Sequence, residues 1–197
     1  MSTFSREDLS NLYFKNEQIK ICSFGMSHTD KLTHAQRKVA SFYADPAAWL
    51  VVDAVKDALQ RFNRDLTPIK EKIGVITISD ICTLNTINMI RNQVSKGRVS
   101  PIRFAGANPG SMAGLPCIIH GYRGPTLVFT SPLAETIDAV VATVLSWLRK
   151  QQASYVFINT YQQQSTECYT VRSILVSELN EVQSPSYRDG SALLARV

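Results

Sequence analysis

Cysteine and histidine are scarce in this 197-residue chain, which has three histidines and four cysteines at Cys22, Cys82, Cys117 and Cys168. The cysteines are widely dispersed, no pair has the Cys-x-x-Cys spacing, and no pair of histidines accompanies them, so the pattern fits no zinc motif. Several lie in or beside apolar segments, which is typical of small buried thiols in a reducing compartment. We therefore expect no metal, no cofactor and a cytoplasmic location.

Long apolar runs are missing as well. No run reaches the roughly 18–20 residues that cross a bilayer. Residues 1–16 are polar and lack the basic, apolar and cleavage regions of a signal peptide. With 45% apolar residues, a chain of this length can bury one substantial core. We expect an N-terminal arm over residues 1–17 and a single domain over 18–197.

A dense block of charge is also absent. The net charge of +5 comes from 21 basic and 16 acidic residues, and the basic residues occur singly or in pairs. Such a diffuse excess is typical of solvated surface, and it could help to steer an acidic carrier protein. Nucleic-acid binding is not expected, because no basic stripe with interleaved aromatic residues occurs.

Hydrophobic periodicity predicts strands that alternate with helices. Strands are predicted at 18–24, 72–79, 126–131, 153–161 and 169–179, with a closing strand at 192–197. Helices are predicted at 34–43, 47–62, 84–94 and 134–150. In the third helix the spacing of Leu84, Ile87, Ile90 and Val94 places them on one side. Residues 100–116 and 162–167 are predicted to be irregular, and the fold class is α/β with a largely parallel or mixed sheet.

The junction between the strand at 126–131 and the following helix carries the main functional question. Gly124-Pro125 sets a tight turn into the strand, and Pro132 fits the first turn of a helix. Residue 133 therefore lies at a helix N-terminus, where the dipole and free N–H groups would lower the pKa of a thiol. That residue is Leu133, which cannot be a nucleophile, a base or a metal ligand. The segment is either an ordinary α/β crossover or the framework of an enzyme that has lost its catalytic groups.

One group of motifs extends this pattern to a known family. The motifs are Ser100-Pro101, Phe104, Met112-Ala113-Gly114, Gly121 and Gly124-Pro125. Together with the strand and helix that follow, they resemble the N-terminal half of β-ketoacyl synthases, and the resemblance covers most of residues 18–161. It implies a thiolase-like half with a mixed five-stranded sheet covered by helices, truncated relative to full ketosynthases. In a working synthase a cysteine stands where this chain has Leu133, and the catalytic histidines belong to a C-terminal half that we expect this chain to lack.

Both departures are similar to those of chain-length factors, which lack the nucleophile and pair with an active ketosynthase. Short versions are associated with bacterial aryl polyene clusters, and many longer ones carry Gln where this chain has Leu133. The resemblance implies a non-catalytic subunit of a heterodimer, possibly of a higher oligomer. This subunit would limit the acyl tunnel while a polyene or polyketide grows on an acyl carrier protein.

The resemblance also implies two sets of site residues. The strand before the nucleophile position would pair with the partner through Thr126, Leu127, Val128, Phe129, Thr130 and Ser131. The residues Arg103, Phe104, Ala107 and Met112 would face the partner's tunnel and limit chain length. The alternatives are a simple core strand, a core aromatic at Phe104, a solvated charge at Arg103 and core packing at Met112.

A second hypothesis keeps the framework but assigns it a different chemistry. A thioesterase or acyltransferase could use Ser111 as nucleophile, or Ser131, which with Pro132 flanks the degenerate position Leu133, and His120 is the candidate base. A third hypothesis is a scaffold protein without any tunnel.

Overall fold

A mixed five-stranded sheet organises the computed structural model, which describes residues 18–32, 43–98, 101–165 and 168–179. The strands are β1 (Ile19–Thr29), β2 (Ile73–Ile78), β3 (Thr126–Phe129), β4 (Tyr155–Ser165) and β5 (Cys168–Glu178). The helices are α1 (Pro46–Gln60), α2 (Leu84–Val94), α3 (Pro101–Ala107), α4 (Ser111–His120) and α5 (Leu133–Arg149), with a 3-10 segment at Thr67–Lys72. The predicted arm at 1–17, the closing strand at 192–197 and all of the predicted helix at 34–43 except Tyr43 lie outside the described residues, and Tyr43 lies in a turn.

The strands lie in the order β1-β5-β4-β2-β3. The three strands β4, β2 and β3 are parallel, whereas β5 is antiparallel to both β4 and β1. The parallel part follows from the helical crossovers between β2, β3 and β4, because parallel neighbours need a long connection. This arrangement places β3 at one edge of the sheet and β1 at the other, and it confirms the predicted mixed α/β fold.

Helices cover both faces of the sheet. On one face α1 and α4 pack over Val75, Phe157 and Leu175, and α1 supplies six side chains with no exposed area: Ala47, Ala48, Val51, Ala54, Val55 and Ala58. On the other face α5 packs Val140, Val144 and Leu148 over Ile76, Val156 and Val176. The strand β2 is buried along its whole length, as its unbroken apolar sequence predicts for a central parallel strand.

The segment 100–116 is not irregular as predicted, because it contains α3 and the first half of α4. Its prolines and glycines lower helix propensity, and Pro116 lies inside α4. Tertiary packing overrides that local penalty. Met112, Ala113 and Leu115 are buried against α1 and the sheet, and Pro101 occupies the first position of α3, where its missing N–H costs nothing.

The polar segment 162–167 also differs from its prediction. The strand β4 continues to Ser165 and pairs with β5 through Gln162 opposite Thr170 and Gln163 opposite Tyr169. Backbone hydrogen bonds of an antiparallel ladder do not require apolar side chains, so periodicity misses this part of the hairpin. In the same way, β1 extends beyond the predicted strand at 18–24 and continues to Thr29 beside β5.

The predicted apolar side of α2 faces outward. Leu84, Ile87 and Val94 are 43%, 46% and 50% exposed, whereas the buried residue of α2 is Thr86. Apolar spacing on a helix predicts that its members share a face, but it does not say what covers that face. No helix in the described ranges has both the length and the apolarity needed to cross a membrane.

Candidate functional site

Leu133 is the first residue of α5, directly after the β3 edge strand. The strand ends at Phe129, and Pro132 is the N-cap residue of the helix. No side chain caps this helix end, so the first-turn N–H groups and the positive end of the dipole remain available to an anion or thiolate. Leu133 itself is half-buried and packs against the apolar cluster under α5. The backbone at this position is a strand-to-helix junction with an uncapped helix N-terminus, and the side chain there is apolar.

A cleft of about 500 Å³ opens beside Leu133. It is formed by the carboxyl end of β2 with the turn after it, the first residues of α5 and the outer half of β4. Ligands of parallel α/β sheets usually bind at this end of the strands. Among the described residues neither cysteine nor histidine lines this cleft, and its one carboxylate belongs to Asp80.

Two titratable side chains, Tyr161 in the lining of this cleft and Cys82 next to it, favour their protonated forms. The Cys82 thiol donates to the Ser79 carbonyl at 3.0 Å, and burial raises its pKa. The pKa of the Tyr161 phenol, which lines the cleft, is raised mainly by burial and next by the charge of Asp45. The Ser79 hydroxyl accepts the backbone N–H of Cys82 at 3.0 Å and thereby closes the turn after β2. None of these groups is arranged as a nucleophile beside its base.

The four residues expected to limit chain length separate into two environments. Phe104 is 51% exposed on α3, so it is not a core aromatic. Arg103 is half-buried, with Nη1 at 2.8 Å from Sδ of Met89, and Ala107 is half-buried on the same helix. Met112 lies on α4 with no exposed area. The structure therefore brings three of these residues together on α3 and places the fourth in the core, as the packing alternative states.

The strand β3 presents its free edge because, within the described chain, it pairs with β2 alone. Thr126, Leu127 and Thr130 are exposed, while Ser131 is half-buried. Val128 packs toward the α1 and α4 layer, and Phe129 packs toward α5. The strand is thus anchored in the core by two side chains and keeps one edge open.

His120 is remote from the serines of the alternative hypothesis. It ends α4 at the end of the sheet where β3 begins, whereas Ser131 follows the far end of β3, about 13 Å along the strand at 3.3 Å per residue. Ser111 opens α4 and His120 closes it, which separates them by about 14 Å of helix. The His120 ring instead hydrogen-bonds the Val52 backbone and stacks on Tyr122 at 5.4 Å. Neither serine has this histidine as a base.

Sequence reasoning missed several residues around the cleft. Gln162, Gln163, Gln164 and Ser165 line it because β4 continues past its apolar part. Asp45 lies just before the helix predicted at 47–62, and its carboxylate is fully buried and accepts the backbone N–H of Thr86 in α2. Nothing in the local sequence pairs position 45 with position 86, so only the fold could reveal this contact.

No protein-family model and no curated protein matches this sequence. Solved structures do match its fold. The ishigamide ketosynthase/chain length factor aligns over 84% of this chain and 63% of its own, with a TM-score of 0.64 and 12% identity. The complex of the ketosynthase ApeO with its chain length factor ApeC from Xenorhabdus doucetiae aligns over 82% of this chain and 79% of its own, with a TM-score of 0.59 and 11% identity.

A third similar structure is a type II polyketide synthase acyl-carrier protein in complex with its ketosynthase bound to the hexaketide, named AntDE:AntF. It aligns over 82% of this chain, with a TM-score of 0.61 and 10% identity. This chain spans 63% of the matched chain there, as it does in the ishigamide structure. The described residues therefore have the thiolase-like fold of ketosynthases and chain length factors, over less than two thirds of the length of those two chains.

Proposed function

We propose that this chain is a non-catalytic chain-length factor that forms a heterodimer with an active ketosynthase and shapes the tunnel for the growing acyl chain. The observation that carries this proposal is Leu133 at the first position of α5. A ketosynthase that carries the acyl chain itself needs a nucleophile at this helix terminus, and leucine offers no atom that could take up an acyl group. The acyl chain would then be carried by the partner and by an acyl carrier protein.

The exposed apolar residues support a partner-binding role. They include Leu127 on the open edge of β3, 38% exposed, and Ile102 and Phe104 on α3, 52% and 51% exposed. An open strand edge invites pairing with another chain, and exposed apolar surface of this kind is typical of interaction sites. The names of two similar structures pair a ketosynthase with a chain length factor, and a third includes an acyl-carrier protein.

The decisive experiment is co-expression with a candidate partner ketosynthase from the same organism. We expect the two chains to co-elute at a 1:1 ratio in size-exclusion chromatography with light scattering. Incubation with an acyl donor should label the ketosynthase chain and leave this chain unlabelled, as read by intact-protein mass spectrometry. The proposal fails if the two chains elute separately and the ketosynthase is soluble and fully active alone.

The Ser131→Ala variant separates this proposal from an acyltransferase on the same framework. Because Ser131 has no catalytic role in a chain-length factor, the variant complex should form product at the rate of the unmodified complex. A loss of product with the complex intact would instead assign the chemistry to this chain.

A further inference from the structure

A second cleft, of about 410 Å³, lies at the end of the sheet where the parallel strands begin, opposite Leu133. We call it the basal cleft. It is bounded by the first residues of β1, the loop after α1, the first residue of β4 and the last residues of β5. The proposed function makes no use of it.

The lining of the basal cleft is rich in hydrogen-bond donors. Six of its side chains carry N–H or O–H groups: Lys20, Arg61, Asn63, Arg64, Tyr155 and Ser177. Three of these are cations, and Glu178 is the one carboxylate among the lining residues. A donor-rich, cationic lining complements a ligand with several acceptor oxygens and negative charge, which describes a phosphate group.

Contacts within the protein hold the two arginines. Arg64 Nη1 donates to the Tyr155 hydroxyl at 3.2 Å. Arg61 Nε donates to Asp57 Oδ1 at 3.2 Å and its Nη2 lies 3.1 Å from Asp57 Oδ2, so the charge of Arg61 is paired with that carboxylate. Lys20 lies directly opposite Ser177 in the register of β1 and β5, so both side chains project from the same face of the sheet. Lys20 and Arg64 thus come from two separate elements, β1 and the loop after α1, that border the same cleft.

The cleft also has an aromatic wall. The rings of Phe62 and Tyr155 meet edge to face, with centroids 5.5 Å apart and planes at 63°. Phosphate esters carry an organic group beside the phosphate, and an apolar wall next to Lys20 and Arg64, the two lining cations apart from the paired Arg61, accommodates both parts. We propose that the basal cleft binds the phosphate group of a small molecule through Lys20 and Arg64.

The test is a titration of the full chain with inorganic phosphate, followed by ³¹P NMR at ionic strength held constant with chloride. Lys20→Gln should raise the dissociation constant about fivefold, because it removes one charged donor of an exposed site. Glu178→Gln should lower it about threefold, because it removes the opposing charge. A gain of affinity cannot result from misfolding, so this second variant keeps the test valid even if the first unfolds.

Lys150→Gln is the matched control, since Lys150 is an exposed cation that does not line the basal cleft. The dissociation constant of this variant for phosphate should equal that of the unmodified chain. The proposal is overturned if the unmodified chain shows no saturable phosphate binding, or if Lys150→Gln weakens binding as much as Lys20→Gln. Phenyl phosphate distinguishes the two sources of the group: tighter binding than inorganic phosphate assigns the cleft to a phosphate ester, and equal binding assigns it to free phosphate.

Discussion

The carboxylate of Asp45 accepts the backbone N–H of Thr86 with Oδ2 at 2.8 Å, and both residues are buried. Its other oxygen accepts the N–H of Ala47 at 2.8 Å and caps α1. One side chain therefore satisfies donors in the first turns of two helices. Because α2 contributes little else to the core, this carboxylate fixes the helix whose apolar side faces outward.

Replacing Asp45 should destabilise the fold strongly. Asp45→Ala leaves two buried N–H groups without partners, and we expect a loss of about 2–4 kcal/mol in the free energy of unfolding. Urea denaturation followed by circular dichroism measures this loss. Asp65→Ala is the matched control, because Asp65 also accepts a backbone N–H two residues on, from Thr67 at 2.9 Å, but on the surface. Equal losses in the two variants would contradict the role given to Asp45.

Two glycines of the sequence pattern should respond in opposite directions to the same substitution. A Cβ on Gly124 would lie 2.3 Å from the Ile73 carbonyl oxygen at the start of β2, whereas a Cβ on Gly114 meets nothing within 4 Å. We expect Gly124→Ala to cost about 1–3 kcal/mol, since backbone must move. Gly114→Ala should stabilise α4 by about 0.5–1 kcal/mol. Thermal unfolding of the two variants measures both effects, and a neutral Gly124→Ala would show that β3 approaches β2 less closely.

The sequence predicts the central part of this fold well because local and tertiary signals agree there. The apolar run of β2 and the stripe of α1 are both buried as their periodicities indicate. The turn at Gly124-Pro125 and the proline before Leu133 place the strand-to-helix junction correctly. At these positions turn chemistry, propensity and packing all specify the same backbone.

The remaining parts depend on contacts that no local pattern records. The helix α4 forms despite Pro116 because its apolar residues are buried against α1, and Gln162 is in a strand because Thr170 pairs with it. The exposure of Ile87 depends on which elements pack against α2. The spacing of the apolar residues along α2 does not specify those elements. Phe104 and its neighbours on α3 are predicted as site residues from the family resemblance. Composition alone predicts that this segment is irregular.

The free energy of unfolding should depend on pH through the titration of His120. Burial lowers the pKa of this histidine, the charges of Lys56 and Lys70 lower it further, and a hydrogen bond to Val52 acts the other way. Because the folded pKa lies below the unfolded value of about 6.5, the unfolded state binds more protons between the two values. This contribution to stability is therefore complete above about pH 6.5 and is lost as the pH falls through the folded pKa.

Urea denaturation between pH 7.5 and 5 tests this dependence. His120→Gln should flatten the loss of stability on acidification, and Lys70→Gln should reduce it to a smaller extent because one repelling charge is removed. A slope that is unchanged in His120→Gln would assign the acid sensitivity to other groups.

Assembly with the ketosynthase should depend on the open edge of the sheet. Leu127→Arg places a charge on β3, where a desolvated unpaired cation is costly, and we expect the variant to elute as a separate chain. Met26→Arg provides the control on β1 at the opposite edge, where Met26 is 45% exposed, and it should co-elute with the ketosynthase. Loss of the complex in both variants, or in neither, would contradict an interface along β3.

Product length should depend on Phe104. If this side chain faces the acyl tunnel of the partner, Phe104→Ala removes bulk from it, and products longer by at least one extension unit should appear in liquid chromatography with mass spectrometry. The Met26→Ala variant truncates a similarly exposed side chain, 45% against 51%, on the far edge of the sheet and should leave the product distribution unchanged.

Because half of the Phe104 side chain is already exposed in the isolated chain, its truncation should leave the free energy of unfolding within about 1 kcal/mol of the original. An intact complex with products of unchanged length in Phe104→Ala would favour a scaffold role without a tunnel.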